Sequence, residues 1–346
     1  MYINLMTVEN KNNQVSIWLL LITFLVGLMI IVGGLTRLTD SGLSITRWDL
    51  FKGIVPPINS FEWNKAFELY KKIPEFKLLN YSMSLDEFKF IYWWEYAHRL
   101  LGRIIGILYI VPLIYFTFKK NITKNSILSL YLIFLLICLQ GFMGWYMVQS
   151  GLTERTDVSH YRLSIHLTLA FIILIMLFWN FLKYKNSIKF YHNKQLPYFL
   201  PNLFLFLIIL QISIGALVSG LDAGKIYQSW PLMNESYFPN DSSLDDLISL
   251  KSFEVPSIVQ FIHRNVAYII FLLCTVILII TFKNKDFFYL RKTTLYIFLL
   301  LLLQILLGIF TILSGAQIIL ASMHQIGSIF LISTSLILVF KNSKIN

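Results

Sequence analysis

The chain carries six histidines, and four of them, His98, His166, His263 and His324, fall inside long apolar stretches. The other two, His160 and His192, fall in loop-like sequence. A neutral imidazole is a good axial ligand for heme iron, and two rings facing each other clamp the iron from both sides. Four histidines make two such clamps. A lone intramembrane histidine hydrogen-bonds across helices as readily as it binds metal. Four at matched positions and similar depth favour ligation. Zinc is the other metal option, but no carboxylate or cysteine cluster completes a tetrahedral site. The residues four positions on are Gly102, Ala170, Ala267 and Ser328. They share a helix face with the histidines, and their small size leaves room for a flat macrocycle.

Glu95 lies three residues before His98, on the same helix face. Gln260 holds the same place before His263. A carboxylate at membrane depth is costly and marks a candidate functional residue. The Glu/Gln difference divides labour between two sites: proton-coupled chemistry beside Glu95, and an electron-transferring or structural heme beside Gln260. The alternative is an ion pair between Glu95 and Arg99. Arg99, Arg103, Arg162 and Arg264 lie near the same helix ends. Heme propionates need such partners, and guanidinium matches carboxylate geometry; interfacial snorkelling is the plainer reading. Propionate pairing is favoured for Arg99 and Arg264, each directly after a histidine. For Arg103 and Arg162 both readings stand.

The elements that must position these residues are membrane helices. Of 346 residues, 57% are hydrophobic and 14% charged, with mean hydropathy +0.68. A soluble core of this size carries more charge. The net charge of +11 does not point to nucleic acid, because much of the basic excess sits in short gaps between apolar runs. Eight runs reach the length of about 20 residues that a bilayer requires, near 15–35, 91–118, 126–148, 161–182, 198–219, 257–282, 293–313 and 319–340. The polar N-terminus runs straight into the first without a cleavage site, so that run is expected to be a retained helix. Basic residues gather after the second, fourth and sixth runs (Lys119, Lys120 and Lys124; Lys183, Lys185, Lys189 and Lys194; Lys283, Lys285, Arg291 and Lys292) and in the tail at Lys341 and Lys344. The positive-inside rule then puts both termini in the cytoplasm and the long connections 36–90 and 220–256 outside. Cys138 and Cys274 lie within apolar runs and offer no disulfide between outer loops.

The sequence also repeats. Gly33, Leu35, Asp40, Gly42, Trp48, Leu50 and Pro57 recur at constant offset as Gly215, Leu217, Asp222, Gly224, Trp230, Leu232 and Pro239. Gln140 and Gly144 match Gln304 and Gly308, His98-Arg99 matches His263-Arg264, and Ser164 and His166 match Ser322 and His324. Each unit holds four spans, an even number, which predicts a parallel repeat about an axis along the membrane normal. The expected fold is an all-α integral membrane protein of two four-helix bundles: residues 1–190 as the catalytic half and 191–346 as the cofactor half.

The motifs Trp94-Glu95-Tyr96-Ala97-His98-Arg99-Leu100-Leu101-Gly102-Arg103 and Gly33-Gly34-Leu35-Thr36-Arg37-Leu38-Thr39-Asp40-Ser41-Gly42-Leu43-Ser44, with His263-Arg264, resemble the heme A synthase family. The likeness is to its alphaproteobacterial and mitochondrial branch and covers nearly the whole chain. It implies oxidation of the C8 methyl group of heme O to a formyl group, giving heme A for cytochrome c oxidase. It further implies that His98 and His166 hold the substrate heme, that Glu95 is needed for catalysis, and that His263 and His324 ligate a heme b cofactor. One departure is visible: the cysteine pair that some bacterial members carry in the first outer loop is missing here. The expected location is the bacterial inner membrane, with the hemes near the periplasmic side because each of the four histidines sits in the first part of a helix running from outside to inside. Expected partners are heme O, membrane lipid, a heme O synthase, oxidase assembly factors and a further copy of the chain. Two other functions compete. A diheme b-type cytochrome would only pass electrons, and the Glu95/Gln260 difference weighs against it. A transporter built on parallel repeats would need broken helices or midplane charges, and apart from Pro112 the spans show little of either.

Overall fold

The computed structural model describes residues 2–48, 52–185, 194–249 and 251–343. His192, Lys189, Lys344, Leu50 and the expected boundary between 190 and 191 lie outside them. Eleven α-helices are found among the described residues, and no β-strand. Eight helices are long and apolar enough to cross a membrane. They are α1 (Tyr2–Leu38), α4 (Leu85–Phe118), α5 (Lys124–Glu154), α6 (His160–Lys185), α7 (Phe199–Gly220), α9 (Pro256–Lys283), α10 (Arg291–Leu313) and α11 (Ile318–Asn342). The short helices α2 (Ser60–Tyr70), α3 (Pro74–Leu78) and α8 (Leu244–Ile248) lie in the two long connections.

The eight spans fall where hydropathy puts them, and several helices run past their apolar stretches: α1 from Tyr2 against an expected 15, α5 to Glu154 against 148, and α4 at its start. That helix begins at Leu85 instead of 91, because polar capping extends it beyond its apolar run. Ser84 accepts from the Glu87 N–H, Glu87 returns a bond to the Ser84 N–H, and Asp86 and Glu87 complement the helix dipole. His160 is the first residue of α6 instead of a loop residue, its ring 4.2 Å from that of Tyr161. Asp40 and Asp222, matched in the repeat, both take left-handed backbone, with φ of 48° and 49°, just past α1 and α7. Asp tolerates this region better than most side chains.

Two compact units are distinguished, residues 21–173, and residues 1–20 with 174–346. In the first, α2 and α3 fold back so that Phe67, Tyr70 and Ile73 bury against Phe88 and Ile91 of α4, with Leu43 and Val158. In the second, α7 packs on α9 and α11, and α10 packs on α9 and α11, closing a ring of four helices. Ile214, Leu217 and Val259 form a small buried cluster there.

Candidate heme-binding sites

Each of the four histidines points its ring at a glycine on a neighbouring helix. A Cβ built on Gly33 of α1 would stand 3.0 Å from Nε2 of His98, and one on Gly144 of α5 would stand 3.2 Å from Cε1 of His166. In the second unit the same holds for Gly215 of α7 against His263, at 3.1 Å, and Gly308 of α10 against His324, at 3.0 Å. Glycine suits these positions because a side chain there would crowd the imidazole, which would have to give by a few tenths of an ångström. At Gly102, four positions after His98, the open space is taken by Cε of Met29, 3.3 Å from a Cβ built there.

Three glutamines add a second contact. Gln140, Gln211 and Gln304 each lie one turn before one of these glycines, on the same face. Their Nε2 atoms donate to the backbone carbonyls of His166 (3.0 Å), His263 (2.9 Å) and His324 (2.6 Å). The corresponding residue before Gly33 is Met29. The Gln211 tether was missed from sequence, although Gln-x-x-x-Gly stands in α7 as it does in α5 and α10.

In the second unit the ring centroids of His263 and His324 lie 6.5 Å apart. Two imidazoles on opposite faces of one metal, each nitrogen about 2 Å from it, hold their ring centres about 6 Å apart. Nδ1 of His324 donates to the Gln304 carbonyl at 3.1 Å, which leaves Nε2 with its lone pair. Nδ1 of His263 and of His166 is buried without a hydrogen-bond partner. His98 and His166 are within electrostatic reach of each other in the first unit. Among the described residues no group of three or more His, Cys, Asp or Glu side chains could hold a bare ion. Two nitrogens per unit suit a metal whose remaining ligands come from a macrocycle, so these residues fit heme.

Beside the two histidine pairs the units diverge. Glu95, 2% exposed, accepts from Ser44 Oγ and the Ile45 N–H on one oxygen, both at 2.7 Å. Its other oxygen accepts from Arg99 Nε at 3.0 Å and Nη2 at 2.6 Å. Arg99 also donates to the carbonyls of Ile45 (2.9 Å) and Arg47 (3.2 Å), with its guanidinium 5.0 Å from the centre of the Trp48 ring. A narrow crevice beside this network is walled by Thr46, Arg47, Trp48, Arg99, Trp145 and Gln149 among others. Gln260, 1% exposed, instead donates to the carbonyls of Ala223 (3.0 Å) and Tyr227 (3.1 Å) and accepts from Arg264 Nη2 at 3.3 Å. Arg264 continues to the carbonyls of Tyr227 and Leu232, and its Nε–H is buried without a partner. The Glu95–Arg99 ion pair is therefore present. Arg162 donates to the Tyr146 hydroxyl at 3.2 Å and stacks over that ring. Arg103 lies one turn beyond Arg99 on α4 and is partly buried.

The family model described as cytochrome oxidase assembly protein, COX15-CtaA, matches residues 16–336. The chain belongs to this family. Among its relatives, the heme A synthase of Pelagibacter ubique is 52% identical over 97% of this chain and 98% of its own length. The heme A synthase of Rickettsia bellii is 46% identical over 91% and 94%. That of Rickettsia prowazekii is 41% identical over 96% and 99%. Family membership thus extends over all eight membrane helices and both histidine pairs.

Proposed function

We propose that this protein is a heme A synthase, an oxidoreductase that converts the C8 methyl group of heme O to a formyl group and so supplies heme A for cytochrome c oxidase. The observation that carries the reading is a buried Glu–Arg pair beside one of two otherwise similar histidine pairs, in a chain whose near full-length relatives bear that name. His98 and His166 hold the substrate heme O, and His263 and His324 hold a resident heme b. Bound there, heme b supplies one-electron redox chemistry. Glu95 is the catalytic carboxylate that receives a proton on the substrate side. Ser44 and the Ile45 N–H fix its orientation, and Arg99 balances its charge where water is excluded.

Arg264 has its Nε–H in hand for a propionate of the resident heme, and Arg99, Arg103 and Arg162 stand near the substrate side. Residues 1–190 and 191–346 are two parallel repeats, a reading supported by the matched glycine and glutamine contacts. Both termini face the cytoplasm of a bacterial inner membrane, with the hemes near the periplasmic side, as the basic connections favour. Heme O arrives through the bilayer from a heme O synthase, and assembly factors and a second copy of the chain are further partners.

Glu95→Gln is expected to keep both hemes, seen in the optical spectrum, and to abolish heme A on extraction and mass analysis. Normal heme A in that variant sinks the catalytic assignment. Heme B alone in the wild-type protein, even from cells making heme O, would favour an electron-transferring diheme cytochrome.

A further inference from the structure

Among the described residues two carboxylates are buried, Glu75 at 4% exposure and Glu95 at 2%, and both belong to the unit of residues 21–173. Glu95 has a donor on each oxygen. Glu75 does not: its Oε2 is buried with no hydrogen-bond partner. It sits on α3, which the fold-back of α2 presses into the core formed with α4. Tyr70, fully buried at the end of α2, takes a bond from Asn80 Nδ2 on its hydroxyl at 2.8 Å and lies beside the Glu75 carboxyl.

The charged groups that bear most strongly on Glu75 are acidic: Asp157 after α5, Glu95 on α4 and Asp40 after α1. Two arginines are engaged with those acids. Arg37 bonds Asp40 at 2.7 Å and lies 3.8 Å from Asp157, and Arg99 bonds Glu95. Burial, with these acids around it, pushes Glu75 from the ordinary 4.5 up to about 8. The carboxyl thus holds a proton at neutral pH and loses it just above. The side chains of Asp40 and Asp157 are 65% and 46% exposed, and Val158, next to Asp157, shares one buried cluster with Tyr70, Ile73 and Ile91, which lies one turn before Glu95.

We propose that Glu75 is a proton-relay residue that takes up the proton leaving the Glu95 side of the chamber and hands it to water beside Asp40 and Asp157. This rests on the heme A synthase reading. The step moves a proton only. An O–H bond on the Glu95 side breaks as one forms on Glu75, then the Glu75 O–H breaks to water and restores the carboxylate, with no change in electron count.

The test is the pH dependence of heme A formation from heme O in membranes holding the full chain. A relay must be ionised to accept, so the wild-type rate rises as pH passes about 8 and levels above it. Glu75→Gln is expected to lower the rate by about tenfold to a hundredfold and to abolish that rise, with both hemes retained. Glu75→Asp keeps a carboxyl and is expected to restore the rise at a shifted midpoint. If Glu75→Gln does not accumulate, Glu75→Asp decides: an unmoved midpoint overturns the relay. Infrared spectroscopy of the purified protein provides a second readout. A protonated-carboxyl band should disappear through about pH 8 in wild type and be missing or displaced in the variants. No such band, or a Glu75→Gln rate profile that still rises through the same midpoint, overturns the relay while leaving heme A synthesis intact. Wild-type protein that makes no heme A removes the activity and the relay with it.

Discussion

The surroundings of Glu95 and of Gln260 show one arrangement of helix and connection carrying two different polar networks. Both residues lie three positions before a histidine and four before an arginine that closes on the same stretch of backbone. Arg99 reaches the Ile45 carbonyl and Arg264 reaches the matched Tyr227 carbonyl. The next contact is inverted. At Ile45 the backbone offers its N–H, which a carboxylate accepts; at Tyr227 it offers its carbonyl, which an amide donates to. The Glu/Gln difference is therefore written into the connection as well as the helix. Ser44, which adds a hydroxyl donor to Glu95, is replaced by Ile226 at the matched position. A buried ion pair left without one partner costs about 3–5 kcal/mol, so Glu95 cannot be exchanged without consequence. The second buried acid, Glu75, falls in the same unit as the first.

The comparison can be broken by exchanging its terms. Gln260→Glu would set a carboxylate against two carbonyl oxygens, and is expected to cost about 3–5 kcal/mol and to lower heme content. The check is thermal melting of the detergent-solubilised protein alongside heme quantification; an unchanged melting temperature would mean that the connection turns its N–H inward to suit. Next come the glycines. Gly308→Ala puts a methyl group 3.0 Å from the His324 ring, and Gly33→Ala puts one 3.0 Å from His98. Each is expected to cost about 1–3 kcal/mol through overpacking. Gly308→Ala should disturb the resident heme and Gly33→Ala the substrate heme, as separate changes in redox titration and extracted pigment. The same pigment losing out in both variants would dissolve the division of labour. The smallest effect is expected from Met29→Gln, which adds the missing tether before Gly33. A gain near 1 kcal/mol is expected from a new bond to the His98 carbonyl. A loss would show that Met29 is needed to fill the space over Gly102.

Much of this was legible in the residue string. The eight spans, the four histidines within them and the Glu95/Gln260 contrast follow from hydropathy, residue type and spacing, because bilayer thickness and helix pitch convert directly into sequence intervals. The capped start of α4 was less legible, since capping acts through side chains outside the apolar run. The family motifs also pointed to the substrate. The ring-facing glycines were visible as repeats, but their role was not, because it depends on which helix face turns toward which neighbour.

Residue type and order alone thus determined a membrane protein with paired histidines and one odd carboxylate. Tertiary structure decided what meets what: which glycine yields to which imidazole, which backbone group faces Glu95, and that Glu75 of a polar connection is buried with an oxygen unpaired. Periodicity is a local property that sequence spacing records. Burial of a loop carboxyl arises only when α2 folds onto α4 and α3 onto α5, and no interval along the chain encodes those contacts.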